Sequence, residues 1–344
     1  MTFSDLLKEQ LARHPAMQPQ DVLKLCYQAA RGAEHLLADP GRARAHFDRE
    51  YADTPANAAL PLFEAISPRI ARVNLGAWKA AGLPAAWLFR MFLHTAQACE
   101  DGASLLLQYI EEASAIAAPL LTGWDEALVL WRESGMPAIH HSEAYRAAEH
   151  PAYRIVNRQF QCILPILQQL NASSAIRVIA LDGRAASGKT TRAALLHAVL
   201  DAPVIHMDDF FLPPALRTPE RLAQPGGNVH YERFAAEVLP GLASGAAFSY
   251  RVFDCSRMDF GGWQEIPAAP LRIVEGSYAH HPALGDYADL RVFCTVDEQE
   301  QLRRIRQRNG EALAEMFQSR WIPMEESYFR HGSIPEKAHL ILRA

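Results

Sequence analysis

Residues 183–190 combine glycines, a lysine and a hydroxyl side chain at a spacing suited to holding a chain of phosphates. They read Gly-Arg-Ala-Ala-Ser-Gly-Lys-Thr, which is the full pattern G-x-x-x-x-G-K-[ST]. The glycines let backbone N–H groups turn toward a polyphosphate, and the start of the following helix faces the same anion. Lys189 can reach the outer phosphates, and the Thr190 hydroxyl can hold Mg²⁺. The residues expected to bind the nucleotide are Gly183, Ala185, Ala186, Ser187, Gly188, Lys189, Thr190 and Thr191.

Two carboxylates follow runs of residues that are typical of buried strands. The run 203–207 ends at Asp208, and the run 271–274 ends at Glu275. Ligands of open α/β sheets bind at the carboxyl ends of the strands, so both carboxylates are expected at the edge that carries the phosphate loop. Asp208 can accept the proton of an attacking hydroxyl or help to hold Mg²⁺. Glu275 can bind the metal directly or through water, which makes it a predicted ligand with Asp208 and Thr190.

An arginine-rich segment, residues 301–310, is expected to form a helix that ends at an Asn-Gly pair. Arginines at helical spacing can close over phosphates and stabilise the charge of the transferred group. Arg304 and Arg308 are four residues apart and share one helical face, so they are the predicted phosphate contacts. The alternative for each is a solvated basic face.

Short strand-like runs alternate with helical runs from Ile176 onward. The predicted strands are 176–181, 203–207, 271–274, 290–296 and 339–342. The predicted helices are 189–200, 231–243, 298–309 and 312–329. This alternation favours a parallel sheet flanked by helices. Together with the phosphate loop, it predicts an α/β P-loop NTPase domain over residues 175–344.

The first half of the chain has helical periodicity and no visible strand alternation, which predicts an all-α domain over residues 1–170. The expected helices are 21–37, stopped by Pro40-Gly41, then 83–118 as one helix or two, and 144–170. Residues 171–174, Asn-Ala-Ser-Ser, are the expected linker.

Polar residues of the first half cluster at Glu34-His35, at residues 72–74 and at residues 140–143. Their histidines and carboxylates are candidates for a second site. Their spacing matches no zinc pattern, however, and helix caps or a solvated interface are the favoured explanation. The role of the first half is left open.

Length and composition limit the class of protein. A chain of 344 residues favours two domains, and 49% hydrophobic with 21% charged residues is ordinary for a globular protein. A net charge of −5 gives no reason to expect a nucleic-acid or membrane partner, although a homo-oligomer is compatible with it. Five scattered cysteines, without a C-x-x-C pair, and an N-terminus without a signal pattern predict a cytoplasmic protein with reduced thiols.

Six segments together resemble the uridine kinase family and its phosphoribulokinase and pantothenate kinase relatives, over about residues 176–342. The segments are Asp182-Gly183 with the phosphate loop, Met207-Asp208-Asp209-Phe210-Phe211, Val252-Phe253-Asp254, Val274-Glu275-Gly276, the arginine-rich helix and Trp321-Ile322-Pro323. The resemblance implies ATP as phosphate donor, Mg²⁺ among Thr190, Asp208 and Glu275, and phosphate contacts from arginines of the lid helix. It further implies Asp208 as general base and an alcohol group of a small metabolite as acceptor. Lys189 of the phosphate loop is the second predicted catalytic residue.

The sequence departs from that family where the acceptor is recognised. Residues 228–231, Asn-Val-His-Tyr, stand in place of an Asn-aromatic-Asp motif whose Asp binds ribose hydroxyls; the aligned residue here is His230. Cys255 stands where the family has an aromatic residue against the base. These departures count against a nucleoside acceptor. The residues expected to shape the acceptor pocket are Asp209, His230, Tyr231, Arg233 and Arg257, with the loop 212–228.

Two other functions are compatible with a phosphate loop. The first is a nucleotide-dependent switch or motor, but no lysine is followed two residues later by Asp, as in the guanine-reading N-K-x-D motif, and no L-S-G-G-Q motif of transporter ATPases is present. The second is a helical interaction domain joined to a regulatory nucleotide sensor. A sensor would bind ATP without turnover that depends on an acceptor.

Overall fold

The structure is a computed structural model that describes residues 1–32, 39–97 and 102–344. The chain divides into two compact units, Met1–Gln161 and Cys162–Ala344. The division precedes the expected linker, because residues 164–172 form a helix that belongs to the second unit. Over the described ranges, no helix has both the length and the apolar character that crossing a membrane requires.

Helices make up most of the first unit. They are α1 (Phe3–Arg13), α2 (Pro19–Arg31), α3 (Pro40–Asp53), α4 (Leu75–Ala80), α5 (Ala85–Gln97), α6 (Gly102–Ala117), α7 (Trp124–Glu133) and α8 (Glu143–Glu149). Pro40 opens α3 at its first turn, where a proline needs no N–H partner, instead of ending the preceding helix. The polar pair Glu34-His35 and Cys99 lie outside the described residues.

A small antiparallel sheet corrects the expectation of an all-α first domain. Its strands are β1 (Phe63–Ala65), β2 (Ile70–Asn74) and β3 (Tyr153–Asn157), with β2 in the centre. The sequence pattern missed β2 because four of its five residues are buried, including Arg72, so that apolar and polar residues do not alternate.

Strand β3 also corrects the single helix expected over residues 144–170. Helix α8 ends at Glu149 and Pro151 follows, so the chain leaves the helical conformation there. The next residues pair with β2, in a register that sets Tyr153 opposite Asn74. A 3-10 helix over Arg158–Ile163 and α9 (Leu164–Ala172) complete this stretch.

The second unit is built on a five-stranded, all-parallel sheet, as the alternating pattern predicted. Its strands are β4 (Val178–Gly183), β5 (Val204–His206), β8 (Arg272–Glu275), β9 (Leu290–Thr295) and β10 (Leu340–Arg343). Between β5 and β8 the chain forms a separate hairpin of β6 (Phe248–Asp254) and β7 (Asp259–Ile266). The order across the sheet is β10-β9-β4-β8-β5. The strand before the phosphate loop is therefore central, and the strand that precedes Glu275 lies beside it. The parallel sheet and phosphate loop define a P-loop kinase-like fold.

The helices of the second unit cover this sheet. Besides α9 they are α10 (Lys189–Leu200), α11 (Pro219–Leu222), α12 (Tyr231–Glu237), α13 (Leu239–Ser244), α14 (Glu298–Asn309), α15 (Glu311–Met316) and α16 (Ile322–Gly332). Two predicted helices are interrupted. The first, 231–243, breaks at Val238 before Pro240, and the second, 312–329, contains a π-helical turn over Phe317–Trp321.

The β6–β7 hairpin was not predicted, although it carries the Val252-Phe253-Asp254 segment. Its strands pair only with each other, and most residues of β7 are exposed, so the run lacks the apolar character of a buried strand. Tyr250 and Phe253 turn inward and are buried; Tyr250 packs against Phe210 of the segment after β5. The hairpin is thereby held next to the carboxyl ends of the sheet.

Candidate active site

The phosphate loop joins β4 to α10, and two of its glycines have positive φ angles that other residues rarely adopt. Gly183 has φ +136° and Gly188 has φ +83°. A Cβ atom at Gly183 would lie 1.9 Å from the Cys294 carbonyl oxygen of the neighbouring strand β9. A side chain at position 183 would therefore push the loop off the sheet, which explains the need for glycine there.

Lys189 begins α10 with its ammonium group folded back into the loop. Its Nζ donates to the Gly183 carbonyl at 2.7 Å, to the Arg184 carbonyl at 2.9 Å and to the Ser277 hydroxyl at 3.3 Å. The residue is only 8% exposed. The positive charge is thus held at the centre of the loop by neutral oxygen atoms, and it is available to an anion that enters the loop.

Thr190, in the first turn of α10, meets Glu275 at the end of β8. The Thr190 hydroxyl donates to Glu275 Oε2 at 3.1 Å, and the register of β8 beside β4 sets Glu275 opposite Leu181. The other carboxylate oxygen of Glu275 lies 2.6 Å from His206 Nδ1, at the end of β5. The hydrogen bond with the Glu275 carboxylate raises the pKa of the His206 imidazole, and the burial of His206 lowers it. The net effect is a raised pKa.

Asp208 follows β5 at the same sheet edge. One side of the residue is open to solvent, but the protein packed around its carboxyl group desolvates it, and Glu275 adds a nearby negative charge. Both effects raise the pKa of the Asp208 carboxyl group, while Lys189 opposes them. An exposed carboxylate with a raised pKa, within range of the loop lysine, has the properties of a proton acceptor.

A second aspartate, Asp182, anchors the segment that follows Glu275. Its side chain is 0% exposed and accepts four hydrogen bonds. They come from the Gly183, Tyr278 and His280 backbone N–H groups and from the Tyr328 hydroxyl, at 2.6 to 3.1 Å. Every lone-pair direction of this buried carboxylate is used, so Asp182 is a structural anchor for the loop and not a free acid or base.

A buried glutamate on α16 ties the phosphate loop to the same segment. Glu325 Oε2 accepts the Ala185 backbone N–H at 3.0 Å, and Oε1 accepts the Ser277 hydroxyl at 2.7 Å. Glu325 is 6% exposed, and burial raises the pKa of its carboxyl group. Since Ser277 also contacts Lys189, Glu325 fixes two partners of the loop and acts as a positioning residue.

Replacing Glu325 by alanine is expected to weaken ATP binding about 10-fold and to lower Tm. The change leaves the buried Ala185 N–H without an acceptor, and a hydrogen bond to a charged group contributes about 1.5–3 kcal/mol. Calorimetric ATP binding and thermal unfolding measure the two effects. Glu325→Gln, which keeps one acceptor oxygen, should fall between the wild type and the alanine variant.

The neighbouring Glu326 provides the matched control for that experiment. It pairs with Arg184 at 2.5 Å, and both side chains are 29% exposed, so the pair is partly solvated and Glu326→Ala should change ATP affinity little. Equal ATP affinities for the wild type and a folded Glu325→Ala variant would contradict the positioning role of Glu325.

The arginine-rich helix α14 packs on the loop, but its two selected arginines differ. Arg304 NH1 donates to the Ala186 carbonyl at 3.2 Å, and its Nε pairs with Glu300 at 2.7 Å. Arg308 is exposed and donates to the Asn309 side chain, so this structure brings Arg304 to the loop and leaves Arg308 away from it. Gln301, which the sequence did not single out, is fully buried and donates to the Ala185 carbonyl at 3.1 Å.

Asp209 and Arg233, two of the residues expected near the acceptor, form hydrogen bonds that connect the segment after β5 to its surroundings. The Tyr250 hydroxyl donates to Asp209 Oδ2 at 2.8 Å, and Arg233 donates to the Asp209 backbone carbonyl. Arg233 also pairs with Glu237 at 3.0 Å and lies 4.1 Å above the Phe210 ring. Because these contacts occupy its guanidinium group, Arg233 supports the segment that carries Asp208. This arrangement favours a positioning role over direct contact with an acceptor.

His230 lines a cavity of about 360 Å³ with Leu212, Leu216, Arg221 and Glu232. Its backbone N–H donates to the Phe210 carbonyl at 2.6 Å, which holds its main chain beside the segment after β5. Burial, reinforced by Arg233, lowers the pKa of the imidazole, and its Nδ1 has no hydrogen-bond partner within the described part of the chain. The His230 ring is therefore neutral and has one unused polar atom.

Tyr231 and Arg257 lie in different surroundings. The Tyr231 hydroxyl accepts from Arg221 at 2.8 Å, and its ring stacks on His281 with 4.4 Å between centroids. Arg257 is exposed at the tip of the β6–β7 hairpin. Partial desolvation and the Asp208 charge raise the pKa of the Cys255 thiol, two residues before Arg257.

A nucleotide with Mg²⁺ fits this site by the chemistry of its donors. Ser187 Oγ is buried without a partner among the described residues, and the twelve-residue helix α10 directs its N-terminus at the loop. Thr190 and Glu275 carry the hard oxygen atoms that would bind Mg²⁺. In the described ranges no group of three or more His, Cys, Asp or Glu side chains could hold a metal, so Mg²⁺ would need phosphate oxygens and water as well.

Solved structures with similar folds match about half of this chain at low sequence identity. A possible uridine kinase from Bacillus stearothermophilus is 19% identical, with a TM-score of 0.40 over 54% of this chain and 96% of that chain. The D-glycerate 3-kinase of Cryptococcus neoformans is 15% identical, with a TM-score of 0.39 over 51% of this chain and 88% of that chain. The sequence matches no protein-family model and no curated protein. The fold class of the second unit therefore rests on its own sheet order and phosphate loop.

Proposed function

We propose that the second unit transfers a phosphoryl group from ATP to a hydroxyl of a small metabolite. The observation that carries this proposal is the convergence of three groups at one sheet edge. They are Lys189 inside the loop, the Thr190–Glu275 pair at 3.1 Å, and Asp208 within electrostatic range of both. The first two suit a magnesium–triphosphate, and the third suits an acceptor that must lose a proton.

Each group has a distinct task in this reaction. The loop amides and Lys189 would hold the phosphates of ATP, and Arg304 would close over them from α14. Thr190 and Glu275 would hold Mg²⁺, which neutralises developing charge on the phosphates when it is bound. Asp208 would accept the proton of the attacking hydroxyl, and its raised pKa makes it a stronger base than an ordinary aspartate.

A nucleotide sensor coupled to an interaction domain is the second candidate function. Asp208 favours the kinase over the sensor, because binding a nucleotide needs no exposed base with a raised pKa beside the phosphates. Measurement of ATP turnover with and without a panel of hydroxyl-bearing metabolites tests the proposal. Turnover that rises with one acceptor supports a kinase, whereas tight ATP binding with no acceptor-dependent turnover across the panel would contradict it.

Uridine and cytidine are expected to be poor acceptors. The family's acidic residue accepts two hydrogen bonds from vicinal ribose hydroxyls, but the neutral imidazole of His230 offers one donor and one acceptor. A carboxylate, a phosphate or another strongly accepting group on the acceptor suits His230 and the arginines around it better. Steady-state assays on the full chain compare nucleosides with anionic hydroxyl compounds.

His230→Asp sharpens this comparison. The change should improve the use of a nucleoside relative to an anionic acceptor, because it restores an acceptor of two hydrogen bonds and adds negative charge. Saturable, efficient phosphorylation of uridine by the wild type would refute the expectation. Identical acceptor preferences in the wild type and the variant would show that another residue recognises the acceptor.

A further inference from the structure

Three arginines lie in the segments that line the cavity next to His230, and they differ in how many of their donors the protein itself uses. They are Arg217 and Arg221 in the loop after β5, and Arg233 on α12. The acceptor-side cavity, as we call this space of about 360 Å³, is lined by Leu212, Leu216, Arg221, His230 and Glu232. An anionic group of an acceptor can be held only by an arginine that is both unoccupied and accessible.

The protein uses all of the five N–H donors that the Arg221 side chain has. Its Nε donates to the Gly227 carbonyl at 2.9 Å. One terminal nitrogen donates to the Val229 carbonyl at 3.0 Å and to Glu232 at 2.9 Å, and the other donates to the Tyr231 hydroxyl at 2.8 Å and to Glu232 at 2.6 Å. Arg221 thereby balances the charge of the carboxylate that lines the cavity, and it has no donor left for an acceptor.

Arg233 is also committed to other parts of the protein. Its terminal nitrogens donate to the Arg251 and Asp209 backbone carbonyls and to the Glu237 carboxylate. Its Nε has no hydrogen-bond partner among the described residues, but it is closed to solvent, so an acceptor cannot reach it. Arg233 therefore holds the segment after β5 and does not offer an anion site.

Arg217 differs from both of these arginines. Its Nε donates to the Leu212 carbonyl at 2.7 Å, whereas its two terminal nitrogens form no hydrogen bond or ion pair with any residue in the described ranges. The residue is half-buried, and both terminal nitrogens remain accessible to solvent. Because the Nε hydrogen bond orients the planar guanidinium, Arg217 presents two parallel N–H groups that match an oxyanion.

A tight turn places Arg217 at the edge of the acceptor-side cavity. Pro214–Leu216 forms a 3-10 helix that ends at Arg217, whose backbone N–H donates to the Pro214 carbonyl at 3.1 Å. Leu212 is itself fixed, since its N–H donates to the Asn228 carbonyl at 3.1 Å. Arg217 is thus bound to one residue that lines the cavity, Leu212, and follows another, Leu216, directly in the sequence.

The free guanidinium lies near the proposed base. Asp208 precedes Leu212 by four residues, which span at most about 14 Å, and the 3-10 turn over Met207–Phe210 shortens that path. Besides the partial desolvation that raises the pKa of the Cys255 thiol, the charges of Asp208 and Arg217 act on that thiol in opposite directions. One small molecule can therefore reach both Asp208 and Arg217.

We propose that Arg217 binds an oxyanion group, a carboxylate or a phosphate, of the phosphate acceptor, which is then a hydroxy acid or a phosphate ester with a free hydroxyl. This inference rests on the proposed kinase function, because it places the acceptor's hydroxyl at Asp208. The two terminal nitrogens of Arg217 donate charge-assisted hydrogen bonds to the oxyanion. Leu212 and Leu216 line the space between, where the carbon skeleton of the acceptor would lie.

Binding of two anionic probes to the full chain tests the proposal, with Mg²⁺ and a non-hydrolysable ATP analogue filling the phosphate loop. The probes are glycolate and glycerol 3-phosphate, each compared with a neutral counterpart, glycolamide or glycerol, at an ionic strength matched with sodium chloride. We expect at least one anionic probe, and neither neutral compound, to raise Tm by about 3–6 °C at roughly ten times its Kd. A response to glycolate alone indicates a carboxylate acceptor, and a response to glycerol 3-phosphate alone indicates a phosphate ester.

Arg217→Gln should abolish this shift. Arg217→Lys should retain part of it, because lysine keeps the charge but lacks the planar pair of donors. The matched control is Arg177→Gln, which changes an exposed arginine just before β4, at the opposite end of that strand from the phosphate loop, and it should leave the shift intact. Either of two results would overturn the proposal: no anion-specific shift in the wild type, or a shift that Arg217→Gln leaves intact.

Steady-state turnover separates a failure of this inference from a failure of the proposed function. With an anionic acceptor, Arg217→Gln should raise KM roughly 10–100-fold with little change in kcat, since the anion is held equally in the ground state and the transition state. Efficient turnover of a neutral alcohol that Arg217→Gln leaves unchanged would refute the role of Arg217 while the kinase function stands. An anion response that depends on Arg217, without acceptor-dependent turnover, would contradict the kinase function alone.

Discussion

Lys189→Ala is expected to reduce phosphoryl transfer by ~10²–10³-fold while the protein keeps its fold. A preorganised charged donor in an active site contributes on the order of 10²–10³ or more to the rate, and Lys189 is the cation that the structure holds within the phosphate loop. Its partners there are two backbone carbonyls and a hydroxyl, so its removal breaks no buried ion pair. Steady-state turnover and thermal unfolding measure the two effects.

Lys337 supplies the control for that substitution. It is an exposed lysine of the same unit, and Lys337→Ala removes the same charge without touching the loop. Its turnover should equal that of the wild type. If Lys189→Ala retained turnover, the phosphate loop would not be the site of the reaction, and the proposed function would fail.

Asp208→Asn is expected to lower kcat by ~10²–10⁴-fold with little loss of ATP affinity. A general base acts on the acceptor proton only in the transition state, so its removal affects the rate and not nucleotide binding. Equilibrium measurements of ATP binding and steady-state measurements of kcat separate the effect on affinity from the effect on rate. If only ATP or metal affinity falls, Asp208 is a ligand, and Asp209 or Glu275 becomes the candidate base.

The pH dependence follows from the raised pKa of Asp208. A base must be ionised, so kcat/KM should fall as the pH drops through a pKa that lies above the ordinary aspartate value of about 3.9. The folded-state pKa also exceeds the unfolded value, which means that the ionised carboxylate destabilises the folded protein near neutral pH. Asp208→Asn should therefore raise Tm while it lowers kcat.

Asp209→Asn is the matched control, because it changes the adjacent carboxylate. Asp209 accepts a hydrogen bond from the Tyr250 hydroxyl at 2.8 Å, and an asparagine oxygen can still accept it. We expect a smaller loss of kcat than for Asp208→Asn. We also expect the fall of kcat/KM at low pH to occur at the same pH as in the wild type. An equal loss for the two variants would point to general disturbance of the segment after β5.

The phosphate loop could be found in the sequence because its chemistry is local. Eight consecutive residues contain the glycines, the lysine and the hydroxyl, and the strand and helix on either side have recognisable patterns. The two carboxylates could be placed by one further rule, that parallel strands end at the same edge. The order β5-β8-β4 then brings the Asp208 segment and Glu275 toward Thr190 as that rule predicted.

The supporting residues could not be found in this way. Glu325 lies 140 residues from the Ala185 N–H that it accepts, and Tyr250 lies 41 residues from Asp209 on a hairpin whose exposed face hid its strand pattern. A buried Glu or Tyr has no sequence signature that distinguishes it from a surface residue. Its role depends on which helix or hairpin packs against the loop.

The first unit shows the same limit more strongly. Its helices follow from apolar spacing, but β2 carries the buried Arg72, and β2 and β3 pair over about 80 positions of sequence, so the strand pairing has no local signal. By itself, the sequence determined the parallel-sheet class of the second unit, the phosphate loop and the strand-end carboxylates, because those depend on neighbours along the chain. Only the tertiary structure decided the partners of Glu325, the support of Asp209 and the contact of Asp21 with His141, 120 residues apart, because side-chain packing between distant segments sets those contacts.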